Sequence, residues 1–77
     1  MPKTKTTTAT TAIRIMRALG AAEPSGLTPE QIERLLPGSG DALAEAMADD
    51  RVVRSYRMDT RLVITAYGQA WLAVRRG

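Results

Sequence analysis

The sequence predicts a mainly helical α+β domain: three helices, a two-stranded hairpin and a C-terminal helix. Three observations carry this expectation. Apolar residues recur at helical spacing from about Thr10 to Met47, interrupted by two Pro/Gly breaks. The period changes to two after Asp50, and helical spacing returns after Thr65.

Residues 1–9 hold Thr and two lysines but no large apolar side chain beyond Met1, so a flexible basic tail is expected there. Residues 10–77 then form one domain. In the first helix Ala12, Ile15, Met16 and Leu19 share a stripe, with Ile13 at its edge. Arg14 and Arg17 project from the other side, and Gly20 is the expected stop. AAEPSG reads as a loop. Thr28-Pro29-Glu30-Gln31 is a strong helix start: Thr28 caps, Pro29 suits the first position, and Gln31 closes a capping box. Ile32, Leu35 and Leu36 form that helix's apolar side until Pro37-Gly38 ends it. Ser39 or Asp41 caps the third helix. There Leu43 and Met47 are expected inward, with Asp41, Glu45, Ala48 and Asp49 outward.

Val52–Tyr56 and Arg61–Thr65 read as paired strands, with residues 57–60 as the tip. This is not a favoured two-residue turn, so the register stays open. Thr65 caps the last helix, whose Tyr67, Ala70, Trp71 and Val74 are expected inward. Met16 and Met47 read as packing residues. Met58, between Arg57 and Asp59, reads equally as a wedge, a partner contact or chance.

With 77 residues the chain is close to the size at which one core is marginal. It has no Cys and no His, which excludes disulfides and the usual zinc sites. No apolar run reaches membrane-span length, and no signal-peptide h-region is visible, so a cytoplasmic protein without membrane attachment is expected. Enzyme chemistry is not expected either. There is no Gly-rich phosphate loop and no Ser-centred elbow, and the adjacent Asp49-Asp50 side chains point apart on a helix. No metal or cofactor is implied.

The ordered set TPEQIERLL, SGDALAEAM, VVRSYRMDTRLVIT and TAYGQAWL, behind a first amphipathic helix, resembles the winged helix-turn-helix superfamily over Ile13–Leu72. Ile64-Thr65-Ala66-Tyr67-Gly68, closing the second strand of the wing, is similar to a pattern in bacterial winged-helix regulators. The resemblance implies a DNA-binding protein, although some members bind proteins. A fold alone does not establish a function.

Charge divides the chain. From Glu23 to Asp50 there are seven acids and one base, Arg34, for a net charge of −6. The remainder carries ten bases and one acid, Asp59, for +9. The second helix of such a motif lies in the major groove. Here it offers Asp41, Glu45 and Asp49 and no base. Each carboxylate beside a phosphate at about 6 Å costs on the order of 1 kcal/mol or less in water, and several add up. Candidate contacts to double-stranded DNA are therefore Arg51, Arg54, Arg57 and Arg61 around the wing. Arg14, Arg17, Lys3 and Lys5 support them, with Arg75 and Arg76 beyond.

Two functions follow. One is a small transcriptional regulator or accessory factor gripping DNA by its wing and basic termini. The other is a protein-binding module, of the kind a phage or mobile element uses as an inhibitor or adaptor. It would dock Asp41, Glu45, Asp49, Glu30 and Glu33 on a basic partner surface. Homodimerisation through the first or last helix is compatible with both.

Overall fold

The computed structural model describes residues 2–57 and 60–76, and side chains for 10–57 and 60–75. Its elements are α1 (Pro2–Ala21), α2 (Pro29–Leu35), α3 (Gly40–Ala48), β1 (Val52–Arg54), β2 (Leu62–Ile64) and α4 (Ala66–Arg76). The class is that expected: mainly helical, with one two-stranded antiparallel sheet.

Helix α1 organises the core. Ile15, Met16 and Leu19 are wholly buried and Ala12 nearly so. A buried side chain of this size contributes about 1.5–3 kcal/mol, against about 1 kcal/mol for a typical N-cap. The helix runs from Pro2 rather than from about Thr10. The stretch expected as a tail thus has a helical backbone continuous with the packed turns, and Pro2 sits where a first-turn proline is tolerated.

Helix α2 starts as its sequence dictates. Gln31 N–H donates to Thr28 Oγ1 at 3.1 Å, and Thr28 N–H donates to Gln31 Oε1 at 2.9 Å. Ile32 is buried and Leu36 packs on the core. Leu35, expected inward, is 60% exposed. Ile32 alone is buried within α2, and Leu36, its C-cap, leaves the helical path at φ −136° and packs on the core in place of Leu35. At α3, Ser39 is the N-cap but makes no side-chain cap bond. The inward residues are Ala42 and Ala46, while Leu43 and Met47 are half-buried on the flanks. Small side chains let α3 lie close against α1, its main neighbour.

The end of α3 has a signature that the sequence reading missed. Asp50 N–H donates to Met47 O (3.1 Å) and Arg51 N–H to Ala46 O (2.9 Å), with Asp50 at φ 60°. These paired bonds around a left-handed residue form a Schellman motif, and aspartate tolerates that conformation better than most residues.

The strands are shorter than expected. Val52 pairs with Ile64, Val53 with Val63 and Arg54 with Leu62. One further bond, Ser55 N–H to Arg61 O at 2.9 Å, extends the ladder toward the tip. The tip residues Met58 and Asp59 lie outside the described residues. Val52, Leu62 and Ile64 line the buried face, and Val53 and Val63 the outer one. An unforeseen bridge joins Leu27 to Leu62, with N–H···O bonds of 3.0 and 2.7 Å in the two directions. It ties the loop before α2 to the free side of β2. Gly26, at φ 76°, enables the approach, because a Cβ there would strike the Leu62 carbonyl.

Thr65 caps α4: its Oγ1 accepts from Gly68 N–H (2.9 Å) and donates to Asp50 O (2.6 Å). The rotation of this helix differs from expectation. Gly68 and Leu72 are buried and Trp71 is half-buried, whereas Tyr67, Ala70 and Val74 are exposed. A helix of 11 residues carries two possible apolar stripes. The choice falls to Gly68, whose missing side chain lets α4 approach the Arg51 carbonyl, the Met16 methyl and Ile64. Once Gly68 faces inward, Leu72 follows one turn later and Tyr67 must face out.

Two glycine substitutions should therefore act in opposite directions. Gly68→Ala should lower unfolding free energy by about 1–3 kcal/mol through overpacking. Gly20→Ala, on an exposed turn of α1 with nothing within 4 Å of the new methyl, should raise it by roughly 0.5–1 kcal/mol. Urea denaturation midpoints of the two variants check both signs.

Candidate nucleic-acid interface

The structure sorts the expected basic contacts by what each side chain touches. Arg54, at the end of β1, and Arg57, in the loop after it, are exposed. The loop is positioned by the Ser55–Arg61 rung and by Arg57 N–H donating to Ser55 Oγ at 3.3 Å. Tyr56 between them is 93% exposed. These three residues line a groove of about 630 Å³ with Val53, Val63, Ser55 and the loop residues Glu23, Pro24 and Ser25.

Arg61 is held differently. It is half-buried, and its Nη1 donates to the Gly26 carbonyl at 3.3 Å. It braces the loop before α2 against the hairpin and has less freedom to reach a ligand.

Arg51 is a correction. It was expected beside the hairpin as a DNA contact, yet it is only 4% exposed. Its Nε lies 2.9 Å from Asp49 Oδ2, at an angle that makes an ion pair without a hydrogen bond, and Nη1 has no acceptor among the described residues. Its guanidinium sits 4.3 Å from the Trp71 ring centroid. Arg75 covers the same ring at 4.0 Å and donates from Nη1 to Trp71 O at 3.1 Å. Asp49 is about half exposed, so the ion pair contributes about 0–1 kcal/mol. The desolvated stack on the indole contributes up to about 2 kcal/mol and dominates. Arg51 is thus a packing residue, as Trp71 is.

On α1, Arg14 and Arg17 are exposed. Arg17 lines a second groove between α1 and α4, together with Gly20, Gln69 and Ala73. Gln69 Nε2 donates to Glu23 Oε1 at 2.9 Å. That bond joins the two grooves, so Arg17 and the Arg54–Arg57 segment flank adjoining surfaces, with Glu23 between them. Neither groove includes a residue of α3. The side chains of Lys3, Lys5 and Arg76 lie outside the described residues.

The acidic set also divides. Asp41, Ala44, Glu45 and Ala48 form the exposed face of α3, which carries no base. Glu30 is exposed at the start of α2. Glu33 is exposed but occupied, its Oε2 accepting from Gly38 N–H at 2.8 Å. Asp49 is committed to Arg51.

No helix among the described residues is long and apolar enough to cross a membrane. No family model, curated protein or solved structure matches the chain.

Removing Arg51 should therefore damage stability, while removing Arg54 or Arg57 should not. Arg51→Ala is expected to cost about 1–3 kcal/mol through lost stacking and packing. Arg54→Ala and Arg57→Ala should stay within about 0.5 kcal/mol of wild type. Urea unfolding followed by Trp71 fluorescence measures all three, and an Arg51→Ala curve matching wild type would contradict the assignment.

Proposed function

We propose that the chain is a small winged-helix protein that binds DNA through its hairpin and α1 rather than through α3. The element order supports the winged-helix reading: the helix pair α2–α3 is followed by a hairpin and closed by α4. The observation that carries the DNA reading is the pair of adjoining grooves flanked by Arg54, Arg57 and Arg17, with no α3 residue in either. Exposed arginines on a hairpin and a helix can clamp phosphates, and each neutralised phosphate releases counterions. The base-free face of α3 is the part that repels the backbone. In this reading the protein serves as a regulator or accessory factor and performs no catalytic step.

A second reading has its own observation. The exposed face of α3, with Asp41 and Glu45 at one-turn spacing beside the small Ala44 and Ala48, suits a basic protein surface.

Fluorescence anisotropy on random duplex DNA across a salt series separates the two. Four contacts from Arg14, Arg17, Arg54 and Arg57 give a log–log salt slope of about −3 to −4. Arg54→Glu combined with Arg57→Glu should flatten that slope by about 2 and weaken binding at every sequence. Asp41→Lys with Glu45→Lys should strengthen DNA binding, whereas in the second reading it destroys capture of the partner. Absence of salt-sensitive binding even at low ionic strength would rule out the DNA reading.

A further inference from the structure

We propose that the groove beside the hairpin is a nucleobase site with Tyr56 as its stacking platform, so that the DNA held there presents an unpaired base. This rests on the DNA reading and specifies the form of DNA. Tyr56 is the most exposed large hydrophobic side chain among the described residues, at 93%, and its ring has no cationic partner among them. The backbone on either side is held by the Ser55–Arg61 bond and by Arg57 N–H on Ser55 Oγ, so the open ring is presented from a defined place beside the groove. Beside it the floor is apolar, built from the outer cross-strand pair Val53–Val63 and walled by Pro24. The groove volume, about 630 Å³, is within the range of sites that hold a small planar ligand.

The charges select a nucleic acid. Arg57 follows Tyr56 in the groove, placed to take a phosphate beside a stacked base. Arg54 also lines the groove, although its pairing with Leu62 starts its side chain on the face opposite Val53, where it borders Pro29 and Glu30 as well. Glu23 is the single acid of the groove among the described residues, with Oε1 accepting from Gln69 Nε2 and Oε2 left for a ligand. It disfavours a phosphate at its own position, but a carboxylate accepts from the exocyclic amino group of cytosine. The groove therefore pairs an apolar, ring-bearing floor with cations for the backbone and one acceptor for a base edge. Inside a duplex both faces of a base are covered by its neighbours, so only a base out of the stack can use Tyr56.

The test is anisotropy at fixed salt on three probes of equal length: a C/T-rich single strand, the same strand made abasic at its central positions, and a blunt duplex. Wild type should bind the intact strand more tightly than the abasic one by roughly 5- to 150-fold, the range produced by removing a base–aromatic stack. Tyr56→Ala should erase that ratio with salt slope and melting temperature unchanged, and Tyr56→Phe should keep it. Equal binding of intact and abasic strands, or a ratio that survives Tyr56→Ala, overturns the base site and leaves the phosphate-clamping reading standing. Absence of salt-sensitive binding to all three probes overturns both. Binding of an aromatic peptide that depends on Tyr56, with no base-dependent ratio, would reassign the groove to a protein partner.

Discussion

Residue 51 is where the structure is tied together. Its N–H closes the end of α3 on Ala46, and its carbonyl accepts from Thr65 N–H at the start of α4. The same carbonyl lies against Gly68, where no side chain fits. Its guanidinium covers Trp71 and meets Asp49. Three elements thus converge on one residue. In a chain of this size, with 11 apolar side chains wholly or nearly buried among the described residues, such a junction carries what a larger core would spread over many contacts. Helix rotation, strand start and the exit from α3 are all set within a few ångströms of it.

That junction also separates stability from surface chemistry. Of the arginines near the hairpin, one is structural, one braces a loop and two are open to solvent. The positive charge available to a ligand is smaller than the count of arginines suggests, and it is better placed. The same division applies to the acids, where Asp49 and Glu33 are engaged internally while Asp41 and Glu45 are open.

What the amino-acid sequence made legible was local. The capping box at Thr28 depends on four consecutive residues and is found as read. The α1 stripe is long enough for only one rotation to bury all its large residues. The class, the helix pair and the hairpin follow from such signals. The rest depended on contacts between distant segments. On α4 two stripes competed, and the Arg51 carbonyl against Gly68 decided between them. Alanines became the inward face of α3 because α1 lies close, which no pattern in α3 announces. The burial of Arg51 required knowing that Trp71 would arrive above it. A Gly so near the start of the last helix was the one available signal, since glycine inside a helix costs about 1 kcal/mol and asks for a packing reason. Leu27 pairs through a single residue and has no period to detect.

Because the Leu27–Leu62 bridge and the shared core hold the α2–α3 segment against the hairpin, the acidic and basic parts cannot reorient independently. Among the described residues, the exposed acids Asp41 and Glu45 of α3 and the exposed arginines Arg54 and Arg57 of the hairpin therefore keep one spatial arrangement. A charged ligand that attracts one set repels the other, so its sign selects which of the two surfaces it meets.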